Sequence, residues 1–522
     1  MDVHHKYGEG VLVGIIDVDG FDFAHPDFLD ENGLTRFERI WDQGGDARPS
    51  PSAAAALGPA YSYGSEISQE HMNAAIAAAP GLGVDAWDLE PQSQMEPGSH
   101  GSHVASIAAG NAGVARKASI AAVLISLPDA EDLRRTTFTD SSRIAHAVDY
   151  LCEIADKRPV SINISLGTNG HAHDGSSPIN RWIDRALTIP GRCVSIAAGN
   201  AGQEAAETPD DIGHIMGRIH TSGRVPSRGL DVLVDWIVIG EAFNESLADV
   251  SENEFELWYS PQDRFAVTLH SPDGLTIGPL EPGEFVKNRQ LANGTFVSIF
   301  SELYHPANGA NYISIYLSPY FNGSLSAGIT RGTWQVRLTG LDVRDGRFHA
   351  WIERDDLIRA GTTAFRVPSF FSQRSNVDDT SVSSLACGQD SIAVANLDEP
   401  LERISITSSQ GPTRDGRQKP DVAAPGTNIV AANGFADPET PWLTMSGTSM
   451  ASPYVAGVVA LMLQAEPGLT AAQIEGIIQR TARPLPAASY AWVNDAGFGR
   501  IDPKACVAEA FHANERRPWT PS

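Results

Sequence analysis

Cysteine is scarce in this chain. Four residues in 522, Cys152, Cys193, Cys387 and Cys506, lie far apart, with no Cys-x-x-Cys pair and no metal-ligand spacing. That scarcity excludes a disulfide framework or a cysteine-bound metal centre as the organising principle. Cys152 and Cys193 stand in apolar surroundings and are expected to be buried free thiols. Positive charge is also short, with 38 Lys and Arg against 64 Asp and Glu and a formal net charge of −26. A surface of that sign repels nucleic acid and anionic lipid, so neither is expected as a partner, and the charge serves solubility. Long apolar runs are missing too: residues 455–463 make a run of nine, against the roughly 20 needed for a membrane span. The opening Met1-Asp-Val-His-His-Lys carries no apolar h-region, so no signal peptide is expected in the sequence. Composition sets neither localisation nor oligomeric state.

What is present is an ordinary globular balance, 42% hydrophobic and 20% charged, in a chain long enough for a large domain with an insertion. Residues 11–16, 120–126, 160–165 and 194–198 are continuous apolar runs of the kind buried on both faces of a parallel sheet. A helical pattern separates them at 141–155, where Ile144, Val148, Leu151 and Ile154 recur. The alternation predicts a doubly wound α/β domain with its site at the carboxyl ends of the strands. Between about 205 and 380 the period changes to two, as in Phe255-Leu257-Tyr259, Phe265-Val267-Leu269, Ile313-Ile315-Leu317, Trp334-Val336-Leu338 and Phe348-Ala350-Ile352. That stretch reads as an antiparallel β-sandwich. The α/β pattern returns after about 385 with a strand at 391–395 and a helix at 449–465. The division is therefore 1–205, the first part of an α/β domain with a surface excursion at about 42–98; 206–382, an inserted β-sandwich; 383–515, the second part; and 516–522, a tail.

Acyl transfer by serine needs a nucleophile, a base within hydrogen-bond reach, a carboxylate that orients the base and donors for the oxyanion. Asp17 follows directly on the first apolar strand, though taken alone it could simply be a turn former. His100 lies in Gly98-Ser-His-Gly-Ser-His-Val-Ala105, where Ser99 is expected to cap a helix and Gly101 to permit close backbone approach. His103 has no further ligand at zinc-site spacing and is expected to pack or hydrogen-bond, so no metal site is expected. Ser449 opens an apolar helix, whose N-terminal amides favour a developing anion. A capping role is its plainer alternative, and Ser446 and Ser452 are rival hydroxyls. Asn200, in Ala-Ala-Gly-Asn-Ala-Gly202, sits beyond a strand as an oxyanion donor or a left-handed turn former. The glycines of residues 8–14 precede their strand, which excludes a nucleotide loop.

Together these segments resemble the subtilisin-like serine proteases, the subtilases. His100-Gly-Ser-His-Val-Ala is similar to that family's His-Gly-Thr-His-Val-Ala, and Gly447-Thr-Ser-Met-Ala-Ser-Pro-Tyr-Val-Ala456 to its serine motif. Residues 163–167 (Asn-Ile-Ser-Leu-Gly) and 411–426 resemble further hallmarks, and the order Asp, His, Ser is the subtilisin order. The resemblance covers about 8–205 and 385–510. It implies a subtilisin-like α/β fold, a mostly parallel doubly wound sheet with helices on both faces. It also implies a catalytic triad of Asp17, His100 and Ser449, an oxyanion donor in Asn200, and substrate backbone pairing along Ser165, Leu166 and Gly167. One departure stands out: Asp17-Val-Asp-Gly-Phe-Asp22 is a residue longer than the family pattern, which makes Asp19 a rival carboxylate. Residues 39–43, 63–66 and the β module resemble the Csp-type bacterial branch, which implies a jelly-roll-like insertion. The implied activity is serine endopeptidase action on protein or peptide substrates. A silent pseudoprotease or binding protein is the alternative, and an esterase or peptide ligase would use the same triad. No cofactor is expected. The loop 110–114 is shorter than the family's common calcium loop, and Asp27 alone cannot supply the six to eight oxygens calcium takes, so calcium is left only as a structural option. No propeptide-like segment is expected ahead of the catalytic start.

Overall fold

A strand with no exposed residue must be covered on both faces, and β1 (Leu12–Asp17) is buried at all six positions. Its alternate residues enter two separate cores. Val13 and Ile15 join one, Leu12 and Ile16 the other, as the period of two requires. The computed structural model describes residues 6–54, 59–126, 142–202, 217–241, 249, 253–322, 325–354, 358–360, 363–367, 369–486 and 488–515. The expected tail 516–522 lies outside them.

After β1 come β2 (Phe37–Asp42), β3 (Ser65–Ser68), β4 (Ser119–Leu124), β5 (Val160–Ile164) and β6 (Arg192–Ala197). They stand in one nine-stranded sheet in the order Arg403–Ile404, Ile392–Asp398, β6, β5, β1, β4, β2, β3, with Val422–Pro425 also paired to Ile392–Asp398. Its pairs are parallel except the two outermost ones on this path. The helices His100–Ala109 and Thr448–Ala465 supply residues to the core containing Val13, and the helices Arg143–Ala155 and Pro178–Leu187 to the core containing Leu12. Thr448–Ala465 is long and apolar enough to cross a bilayer by composition, yet 78% of it is buried inside the protein, where it packs against β5, β6 and Ile392–Asp398. All four cysteines are free and buried.

The stretch expected as a surface excursion does more than that. Ser65–Ser68 pairs antiparallel with β2 and extends the central sheet, and the helix Gln69–Leu82 buries Met72, Ala75 and Ala79. A four-residue Ser-Glu-Ile-Ser strand is too short for its period to be read from sequence.

Between residues 220 and 371 lie a six-stranded and a five-stranded antiparallel sheet. Phe255, Leu257, Ile313, Ile315 and Ala350 of the first meet Trp236, Val267, Trp334 and Val336 of the second in a single apolar core. The opposite face of the six-stranded sheet carries Glu256, Trp258, Trp351 and Glu353, and Trp258 and Trp351 pack with Ala172 and Ala201 of the α/β part.

Candidate active site

Period two along β1 puts Asp17 on the face of Val13 and Ile15, the face that the His100 helix covers. There the fully buried Asp17 carboxylate meets the imidazole: His100 Nδ1 stands 2.8 Å from Oδ2 and 3.0 Å from Oδ1. Asp17 Oδ1 also accepts the amides of Val18 and Asp19 at 2.9 and 3.2 Å, which fixes the carboxylate's orientation. The rival carboxylate has a different partner. Asp19 Oδ2 accepts the backbone N–H of His100 at 3.1 Å, at the first turn of the helix, where a negative charge is favoured. Burial alone would lower the His100 pKa, but the Asp17 and Asp19 carboxylates outweigh it and raise it above its ordinary value.

The helix is seated as its sequence requires. Ser99 caps it, accepting the Ser102 amide at 3.2 Å. A Cβ on Gly101 would lie 2.4 Å from the Asp19 carbonyl oxygen, so only glycine lets the helix approach the loop after β1 this closely. His103, one turn on, is buried, and its Nε2 lies 3.1–3.2 Å from the carbonyls of Leu443 and Ile429. It thereby ties the hairpin of Ile429–Ala432 and Trp442–Met445 to the helix, and burial pushes its pKa down to about 4. Among the described residues no group of His, Cys, Asp and Glu is arranged to hold a metal.

Ser449 is positioned by a polar ladder on β5. Ser161, Asn163 and Ser165 alternate on the face opposite Ile162 and Ile164 and meet the Thr448–Ala465 helix. Ser161 Oγ donates to the Ala456 carbonyl at 2.7 Å, Ser452 Oγ donates to Asn163 Oδ1 at 2.7 Å, and Ser165 Oγ donates to the Ser449 carbonyl at 2.9 Å. The rival hydroxyls are thus engaged elsewhere, Ser452 on Asn163 and Ser446 as acceptor of the Asn428 amide. Ser449 Oγ has only a long contact of 3.5 Å to the Ser165 carbonyl and makes no hydrogen bond to His100. Register brings the two parts to the same end of the sheet: Ile16 of β1 is opposite Ile164 of β5, so Asp17, the last residue of β1, and Ser165, the residue after β5, leave neighbouring strands at one end.

Asn200 stands exposed beyond β6. Its Oδ1 accepts both the amide and the hydroxyl of Thr448, each at 3.0 Å, which turns Nδ2 outward. A Cβ on Gly447 would sit 3.3 Å from Asn200 Nδ2 and 3.7 Å from the Ser449 amide nitrogen. The two donors therefore border one small space that glycine keeps open. Next to it, Leu166 and Gly167 carry backbone N–H and C=O groups with no hydrogen-bond partner among the described residues, while Ser165 is tied to the helix.

The surroundings of Asp27 do not suit calcium. Its two carboxylate oxygens accept Ser106 Oγ at 2.6 Å and the Ala112 amide at 3.0 Å. The Arg36 guanidinium, itself a cation, donates to the carbonyls of Asp27, Ala109 and Ala118.

The subtilase family model matches residues 8–272 and 366–499, most of the chain. The chain belongs to the subtilase family. Among relatives of this subtilase, serine protease AprX of Bacillus subtilis is 32% identical over 146 residues, 24% of this chain and 33% of AprX. Minor extracellular protease Vpr of the same organism is 44% identical over 87 residues, 16% of this chain and 11% of Vpr. The chain thus spans a third or less of these curated relatives. The CspB protease of Clostridium perfringens superposes with a TM-score of 0.73 at 24% identity, covering 98% of this chain and 94% of that one. That likeness extends the shared fold through the inserted sheets.

Two parts of the site escaped sequence reading. The contact of Ser161, Asn163 and Ser165 with the helix had a signal, small polar residues at period two in an apolar strand, but the sequence reading takes Asn163 and Ser165 only as part of a substrate-pairing segment. Glu353, which holds the segment after Gly167, carried no local signal.

Proposed function

We propose that this subtilase is a serine endopeptidase that hydrolyses peptide bonds through an acyl-enzyme on Ser449. The observation that supports the reading is the Asp17–His100 pair at the end of β1, with the Ser449 hydroxyl and a two-donor space beside Gly447 on the helix that packs against the neighbouring strand β5. The 3.5 Å contact of Ser449 Oγ is weak and leaves the hydroxyl free to rotate about its Cα–Cβ bond, and the mechanism requires that it turn to the imidazole. Ser449 Oγ then attacks the peptide carbonyl while His100 Nε2 takes its proton, and Asp17 holds the imidazole's tautomer and stabilises the imidazolium. The oxyanion occupies the space bordered by Asn200 Nδ2 and the Ser449 amide. His100 returns the proton to the leaving amine, and water, activated by the same base, releases the acyl group. The substrate lies as an added strand along the unpaired backbone of Leu166 and Gly167.

Digestion of a diverse peptide library, with cleavage sites read by mass spectrometry, tests the reading: internal cuts are expected, and an intact library with folded protein overturns it. Asn200→Ala is expected to lower kcat by about 10²–10³ with KM little changed, and wild-type kcat in that variant would remove Asn200 from the oxyanion site. Because Asp27 is engaged by protein donors and faced by Arg36, chelation with EDTA is expected to leave Tm unchanged. A Tm that falls on chelation and recovers with calcium would contradict this.

The missing Ser449–His100 hydrogen bond favours a second reading, a catalytically silent binding protein acting through the inserted β domain. Covalent labelling of Ser449 separates the two.

A further inference from the structure

The backbone of Leu166 and Gly167 is suspended between two anchors. On the N-terminal side Ser165 is tied to the carbonyl of Ser449. On the C-terminal side the inserted six-stranded sheet takes hold. Glu353, on the strand Arg347–Arg354, accepts three hydrogen bonds at one carboxylate oxygen: Thr168 Oγ1 at 2.8 Å and the amides of Asn169 and Gly170, each at 2.5 Å. Glu256, on the neighbouring strand, accepts the His171 amide at 2.6 Å, and Trp351 stacks on His173 at 4.2 Å between ring centres. From within the α/β part, Ser383 Oγ accepts the Thr168 amide at 3.0 Å and Ser384 donates its amide to the Thr168 carbonyl at 2.9 Å.

We propose that Glu353 is a positioning residue for substrate, fixing the end of the 165–167 segment so that the inserted β domain governs peptide affinity. This rests on the peptidase reading above. Three donors converging on one carboxylate oxygen make the Glu353 contact the densest attachment of the segment to the inserted sheet. The donors come from the residues one, two and three positions beyond Gly167. Loss of the acceptor frees two backbone amides and a hydroxyl at the point where the substrate strand must find a fixed register. Burial, opposed by these three donors and reinforced by the neighbouring Glu256, pushes the Glu353 carboxyl up to about 7. Glutamine, with the same shape and one carbonyl acceptor, reproduces its neutral form.

The test compares wild type, Glu353→Gln and Glu353→Ala on two substrates. One is an oligopeptide long enough to lie along residues 165–167, the other a minimal ester that engages only Ser449. For the peptide, KM is expected to rise about threefold in Glu353→Gln and about tenfold in Glu353→Ala. Peptide kcat should stay within about twofold, since uniform binding alone is lost. Both ester constants should be unchanged. An unchanged peptide KM in the folded variants overturns the proposal, and so does an equal loss on the ester, which marks general damage. If Glu353→Ala does not fold, Glu353→Gln decides by the same criteria. A wild type inactive on both substrates overturns the peptidase reading and the positioning role with it, a result distinct from active enzyme with unchanged KM.

Discussion

Ser449→Ala is expected to abolish covalent labelling by a fluorophosphonate probe and to lower kcat on peptides by about 10⁶. The size follows from how the hydroxyl is placed. It sits in the first turn of a helix whose Thr448 amide is engaged by Asn200 and whose Ser449 amide has no hydrogen-bond partner among the described residues. In the peptidase reading the anion formed by attack meets an oriented donor at once, and the two rival hydroxyls are held by other partners. Ser452 is locked to Asn163 and Ser446 to the Asn428 amide, both by hydrogen bonds below 3 Å. Removing Oγ leaves the ladder intact, because Ser165 bonds the Ser449 carbonyl and not its side chain. Tm should therefore stay close to wild type. The measurement is intact-protein mass after probe treatment, with peptide turnover in parallel. Wild-type protein that folds but takes no probe would place the chain among silent binding proteins. Labelling that persists in Ser449→Ala would move the nucleophile elsewhere.

The parallel sheet was legible because its strands are buried on both faces, so runs such as residues 120–126 and 194–198 lack the polar alternation of a half-exposed strand. The inserted sheets were legible for the opposite reason: Phe255, Leu257 and Tyr259 face one core while Glu254, Glu256 and Trp258 face away from it. Ends shifted by up to three residues, as in Ile392–Asp398 against an expected 391–395, since the last residues of a strand are set by its neighbours. Asp17, His100, Ser449 and Asn200 could be picked out because each follows a strand or opens a helix, and those boundaries carry local signals. Which carboxylate meets the imidazole was a question of spacing that sequence left between Asp17 and Asp19. In space the strand's period answers it, directing Asp17 to the helix side and leaving Asp19 to the helix backbone. Glu353 is a different matter. It stands 183–185 residues from the three groups it binds. In sequence it is one more polar residue on the outward face of a strand.

Asp17→Asn and Asp19→Asn should separate those two carboxylates by both rate and pH. Asparagine at position 17 cannot stabilise the imidazolium and admits the wrong tautomer, so kcat is expected to fall by about 10⁴. At position 19 an amide oxygen still accepts the His100 backbone N–H, and the plateau rate should be largely kept. The pH profiles follow from sign. His100 acts as a base only when neutral, so activity is lost as pH falls through its pKa, which lies above the ordinary value because Asp17 and, less strongly, Asp19 outweigh burial. Removing the Asp17 charge leaves burial to pull the acid limb down strongly, and removing Asp19 moves it down slightly. Stability runs the other way: the attraction between these carboxylates and the imidazolium is fully present below the unfolded histidine's pKa and is lost as pH rises through the folded one. Wild type thus gives up this contribution over the range in which its activity appears, and Asp17→Asn should flatten that part of its stability profile. The measurements are kcat/KM and Tm across pH 5 to 9, as an order-of-magnitude window around histidine titration. If Asp19→Asn lost as much rate as Asp17→Asn, or if neither moved the acid limb, the imidazole would not be under the control of the carboxylate that ends β1.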